Sequence, residues 1–168
     1  MGRVLQSFTN GVPGAVSRSV DDIIISIRNT SGADVPFGTP VFLTSGGAAP
    51  FNPSAPQEYS KFLGFAVRVA DKTPDTYPAG QNPEQYSQNG VWKAGDLMEV
   101  LVRGCIVVRM VTAALFGDEI YLRKSDGALT PNPGTSGTTI LLENVRVRGN
   151  RDTPSNITEV VVTERNAL

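Results

Sequence analysis

The chain has 168 residues, 40% of them hydrophobic and 18% charged, with a net charge of −1. That is enough apolar material for one core under a surface poor in charge, and without a basic tract a nucleic-acid partner is not expected. There is no histidine and a single cysteine, Cys105, so no Ser-His-Asp or Cys-His arrangement can be assembled, the usual zinc ligands are missing and no intrachain disulfide can form.

Glycine (17 residues) and proline (12 residues) separate short runs of Val, Ile, Leu and Phe, which is the pattern of an all-β domain. Residues 1–20 read as an irregular N-terminal arm with a turn at Asn10-Gly11-Val12-Pro13-Gly14, and residues 21–168 as one β-rich domain. Asp22 to Asn29 alternates, with Ile23, Ile25 and Ile27 on one face and Ile24, Ser26 and Arg28 on the other, as a strand does. Asp21 and Asp22 therefore point apart and make a poor calcium site. Thr39–Thr44 follows the turn-like Pro36-Phe37-Gly38 as a second strand. Phe62–Val69 is a third. Leu63, Phe65, Val67 and Val69 are expected on one of its faces, and Gly64 and Ala66 leave the other open to a close backbone approach.

Residues 70–94 break this rhythm with prolines, glycines and amides. A loop of that length in a compact domain has a task or is disordered, and Tyr77, Tyr86 and Trp92 are spaced along it like contact anchors. Gly95-Asp96 then turns into the strongest pattern of the chain. Met98, Val100 and Val102 alternate with Leu97, Glu99, Leu101 and Arg103. Gly104 is a bend or bulge candidate, and Ile106, Val108 and Met110 resume the alternation. Cys105 sits mid-strand without a neighbouring base and reads as a buried structural thiol. Thr112–Phe116 reads as one helical turn. Gly117-Asp118 opens Glu119–Arg123, and Asp126-Gly127 is the tip of a hairpin that returns through Leu129-Thr130. After the loop 131–138 come the last strands, Ile140–Arg148 and Ile157–Thr163. Val145 and Val147 face inward, while Arg146 and Arg148, with Arg151 and Arg165 nearby, form either a solvated basic face or a patch for an acidic partner. The expected architecture is a β-sandwich or barrel-like domain of about eight to ten short strands.

Four carboxylates that lie close in sequence, Asp96, Glu99, Asp118 and Glu119, are candidates for two-carboxylate hydrolysis if a barrel brings two together. An Asp that follows Gly ahead of an apolar run bonds its own backbone, and the turn reading is preferred. Asn29-Thr30-Ser31 and Asn156-Ile157-Thr158 match the glycosylation acceptor pattern. The N-terminus lacks a secretory signal's apolar core, so both are read as chance and synthesis in a cytoplasm is expected. No stretch has the length of a membrane span, and neither a metal nor another cofactor is expected.

Taken in order, several segments resemble the cement, or decoration, proteins of tailed-phage heads. They are Gly11-Val12-Pro13-Gly14; Pro36-Phe37-Gly38-Thr39-Pro40-Val41; Phe62-Leu63-Gly64-Phe65-Ala66; the tyrosine-bearing loop; the run from Gly95-Asp96-Leu97-Met98 through Arg103-Gly104-Cys105-Ile106-Val107-Val108; Gly117-Asp118-Glu119-Ile120-Tyr121-Leu122; and Asp126-Gly127-Ala128-Leu129-Thr130. The resemblance implies a β-rich homotrimer on the outside of the head, without catalytic residues. It would bind the major capsid protein and clamp neighbouring capsomers, so that the place of work is the virion after synthesis in the host cytoplasm. The candidate capsid or subunit contacts are Val12, Pro13, Phe37, Tyr77, Tyr86, Trp92, Arg146 and Arg148. The alternative is a carbohydrate- or host-binding β module of a fibre or tail apparatus, with Tyr77, Tyr86 and Trp92 stacking on sugar rings.

Overall fold

The computed structural model describes residues 11–54, 61–69, 90–149 and 155–164. Among them are eleven strands: β1 (Val16–Arg28), β2 (Val35–Pro36), β3 (Pro40–Thr44), β4 (Gly47–Pro50), β5 (Phe62–Ala66), β6 (Val91–Trp92), β7 (Leu97–Ala114), β8 (Glu119–Arg123), β9 (Leu129–Thr130), β10 (Thr139–Val147) and β11 (Ser155–Val162). The all-β expectation holds, although β7, at 18 residues, is far longer than the short strands expected.

The hydrogen-bonded neighbours trace two circuits that share β7. In one, β7 pairs with β9, then β8, β10 and β11, and β11 pairs back onto β7. In the other, β7 pairs with β5, then β3 and β4. β4 meets the end of β1 at a parallel bridge between Asn29 and Ala48, where the Thr30 amide donates to the Ala48 carbonyl (3.0 Å), and β1 runs back along β7. Closing the first circuit hides strand edges that would otherwise pair with other chains, whereas in the second a single bridge joins the end of β1 to β4. A small β2–β6 ladder lies apart from both circuits.

Each circuit has its own apolar filling. Val41, Leu63, Met98, Val100 and Val102 pack with Val35, Phe37 and Trp92 in the β1–β5 half, with Ile23, Ile25 and Ile27 against them as the alternation predicts. Ile106, Val108, Met110, Ile120, Leu122, Leu142, Val160 and Val162 fill the other. Phe42, Phe62 and Phe65, from β3 and β5, join that second core. They meet edge to face at centroid distances of 5.8 and 5.3 Å, so the two halves share one continuous apolar seam. Full burial of side chains of this size contributes roughly 1.5–3 kcal/mol each.

Strict alternation fails where the pairing register shifts, notably on β7 and on β5. Gly104 adopts φ +120°. Opposite it the pairing of β1 jumps from Arg18 with Cys105 to Ile23 with Arg103. On β5, Val41 faces Gly64 but Phe42 faces Phe62. Leu63 therefore does not share a face with Phe65: the first lies in one core and the second in the other. Gly64 behaves as expected, since a Cβ there would fall 2.0 Å from the Leu101 carbonyl oxygen.

Two boundaries also move. Strand β1 begins at Val16, inside the stretch read as an arm. Thr112–Ala114 is strand, not a helical turn, because β11 offers a partner as far as Ser155 opposite Ala114.

Candidate contact surface

Four of the quoted segments converge on Gly14. Its amide donates to the Val107 carbonyl (2.8 Å), the Arg68 amide donates to the Gly14 carbonyl (2.8 Å), and the Val107 amide donates to Ala15 (3.0 Å). Gly38 lies against it and donates its own amide to Ala66 (2.8 Å). At φ +81°, a Cβ on Gly14 would sit 2.6 Å from Phe37 Cβ, so only glycine fits there. This joint ties residues 12–15 to the segment after β2, to the end of β5 and to the middle of β7. Beside it opens a mainly apolar cleft of about 390 Å³, lined among others by Pro13, Pro36, Pro40, Arg109, Val111 and Leu129.

The structure sorts the sequence candidates by burial. Val12 is half-buried, and Pro13 and Phe37 are buried. Trp92 is buried too: its ring stands edge-on to Phe37 (6.2 Å), and Nε1–H donates to the Val67 carbonyl (2.9 Å). An indole held this way is not offered for stacking on a sugar. Tyr77 and Tyr86 lie outside the described residues. Arg146 on β10 and Arg148 just past its end are exposed, as the alternation predicts.

Arg146 does not stand alone. It pairs with Glu119 (2.8 Å), whose other oxygen accepts the Tyr121 hydroxyl (2.6 Å). The Tyr121 hydrogen bond, then the Arg146 guanidinium, hold the Glu119 carboxyl below its usual range, and the same hydrogen bond raises the Tyr121 phenol. Glu119 and Tyr121 were not singled out together by the sequence, although alternation in β8 puts both on its outer face. Arg148 Nη1 donates to Cys105 Sγ (3.8 Å).

Asp96 and Asp118 are occupied locally. Asp96 Oδ2 accepts the Lys93 amide (3.1 Å) and Asp118 Oδ2 accepts the Leu115 amide (2.8 Å), at opposite ends of β7. Asp21 pairs with Arg103 (2.6 Å). Asp22 turns inward against Gly104, where its Oδ2 is buried without a hydrogen-bond partner. Among the described residues, no three His, Cys, Asp or Glu side chains come together to hold a metal ion, and no helix is long and apolar enough to cross a membrane.

Asn29, the first of the two glycosylation-pattern residues, is buried. Its Nδ2 donates to the carbonyls of Ala33 (2.9 Å), Lys93 (3.0 Å) and Trp92 (3.3 Å), and Oδ1 accepts the Ser31 amide and hydroxyl (3.0 and 2.7 Å). It is a structural hub and no glycan acceptor. The sequence hid it as the polar last residue of an alternating run.

The described residues thus define a class: a two-circuit β scaffold whose conspicuous side chains, Trp92, Phe37 and Asn29 among them, hold its shape. The profile of the structural cement protein family (E217 gp24/Pam3 gp6) matches residues 3–163, and the chain belongs to that family of phage structural proteins. Among solved structures, a chain from the capsid of Myoviridae phage XM1 has the same fold, with a TM-score of 0.70 at 17% identity over 96% of both chains. No curated protein matches.

Proposed function

We propose that this chain is a cement, or decoration, protein that binds the outer surface of a phage head and stabilises contacts between capsomers of the major capsid protein. It works as a homotrimer on the virion and is made in the host cytoplasm. The observation that carries this reading is the family match over residues 3–163. The fold shared with a phage-capsid chain and the closed circuit of β7 to β11 agree with it. A clamp of this kind needs no catalytic group. Modest contacts repeated in many copies suffice, because linked sites make later binding events intramolecular.

Under this reading Arg146 and Arg148 meet acidic groups of the shell, while residues 1–10 of the N-terminal arm and the loop at 70–94, including Tyr77 and Tyr86, extend the contact from the β domain. Pro13, Phe37 and Trp92 support that surface from within, and Val12 lies at the root of the arm. The test is add-back. Heads purified without this chain should take it up to a fixed stoichiometry and then resist heat better, and the free protein should have the mass of a trimer. Deleting residues 1–10 or 71–89 should weaken uptake while the β circuits stay folded. Heads that take up none of the intact protein would end this reading.

A further inference from the structure

The cleft beside the Gly14 joint lies over residues 109–111 of β7, between the residues that lead into β1 and the β8–β9 hairpin. Its walls are fixed in advance. Pro13, Pro36 and Pro40 have locked φ angles. Gly38 N–H, between the last two, is bonded to the Ala66 carbonyl (2.8 Å), and Leu129 is paired with Met110. Walls that do not rearrange lose little entropy when a partner enters. The prolines bring no amide N–H, so most of the cleft offers apolar contact.

Two polar side chains break that lining. Arg109 is exposed and Thr39 half-buried, and among the described residues neither side chain has a hydrogen-bond or ion-pair partner. Arg109 is also the one charged residue among those that line the cleft. The acids around it are engaged or stand off. Asp126, next to Gly127, is paired with Arg123, and Glu159 on β11 accepts the Ser17 hydroxyl (2.6 Å). Asp34, two residues before Pro36, is outside the lining. Arg68, bonded through its amide to Gly14, has the same sign as Arg109. The Arg109 guanidinium therefore keeps its fork of N–H donors for whatever enters.

We propose that this cleft receives a segment of a shell subunit in which an apolar side chain stands beside an aspartate or glutamate. The apolar side chain fills the space between the prolines and Leu129. The carboxylate takes the Arg109 guanidinium, with the Thr39 hydroxyl as a further donor. This rests on the cement reading and gives that contact a position and a chemistry. A recess of about 390 Å³ takes a side chain or two, not a whole sheet face.

The test is binding to heads purified without this chain, for Arg109→Glu and for Ala128→Phe. Ala128 is a half-buried residue of the lining, so the second variant fills the cleft. Arg109 is exposed, and its substitution should leave circular dichroism and mass in solution unchanged. That variant keeps the test readable should Ala128→Phe disturb the hairpin. Both should lose affinity for heads, Arg109→Glu by about tenfold or more. Arg109→Gln should lose less and flatten the dependence of binding on salt. Wild-type affinity in either Arg109→Glu or Ala128→Phe overturns the proposal. So does a changed mass in solution with head binding per assembled unit retained, which makes a second copy the occupant. A lower thermal midpoint with head binding retained overturns it as well, because the occupant is then a segment of the same chain. Failure of the wild-type protein to bind heads removes the cement reading itself, and that arm is read without any variant.

Discussion

Leu101 and Ile106 lie in the same apolar core although an odd interval separates them, and in an unbroken strand odd intervals place side chains on opposite faces. The bulge at Gly104 makes the exchange. Before it, the even-numbered residues Met98, Val100 and Val102 face the β1–β5 core; after it, Ile106, Val108 and Met110 face the other. One residue thus lets a single strand serve two interiors.

Gly104→Ala tests that role. The added Cβ would fall 2.0 Å from Asp22 Oδ1, at φ +120°. Strain and clash together should cost about 3 kcal/mol or more, a fall of roughly 10 °C in thermal midpoint for a chain of this size. A midpoint within a degree or two of wild type would show that the bulge tolerates a side chain.

Asn29→Ala should be as severe for a different reason. Its amide serves the carbonyls of Ala33, Trp92 and Lys93 at the place where β1, β4 and the turn before β7 meet. Leaving buried carbonyls unpaired costs about 1–3 kcal/mol each. The urea midpoint should drop clearly with little change in slope, and Asn29→Asp, which turns a carboxylate toward those carbonyls, should be worse. Equal midpoints for all three proteins would remove Asn29 as the hub.

Acid should act at the hairpin tip. Hydrogen bonds from Arg123, foremost, and from the Ala128 amide hold the Asp126 carboxyl at about 2, against an ordinary 3.8. A depressed carboxyl contributes stability that is fully present above the ordinary value and is lost as pH falls toward about 2. Both side chains are more than a third exposed, so solvent screens the pair and the effect on global stability should be small. The readout is local: the carboxyl carbon resonance of Asp126 should titrate near 2 and move up toward 3.8 in Arg123→Gln. A wild-type midpoint already at the ordinary value would refute the pairing.

Much of the scaffold was legible because alternation is a direct record of which face is wet. Ile23, Ile25 and Ile27 on β1, Val145 and Val147 on β10, and both Gly-Asp turns follow from local chemistry alone. The misreadings share a cause, which is a partner distant in sequence. Leu63 changes sides because of a register slip against β3, Thr112–Ala114 is held extended by β11, and Trp92 is drawn inside by the Val67 carbonyl and the Phe37 ring.

A stave common to two barrels couples their fates. If β7 leaves either ring, the other loses a wall at the same moment, and the aromatic seam of Phe42, Phe62 and Phe65 opens with it. The described body should therefore melt in one step, with no half-built form stable enough to accumulate.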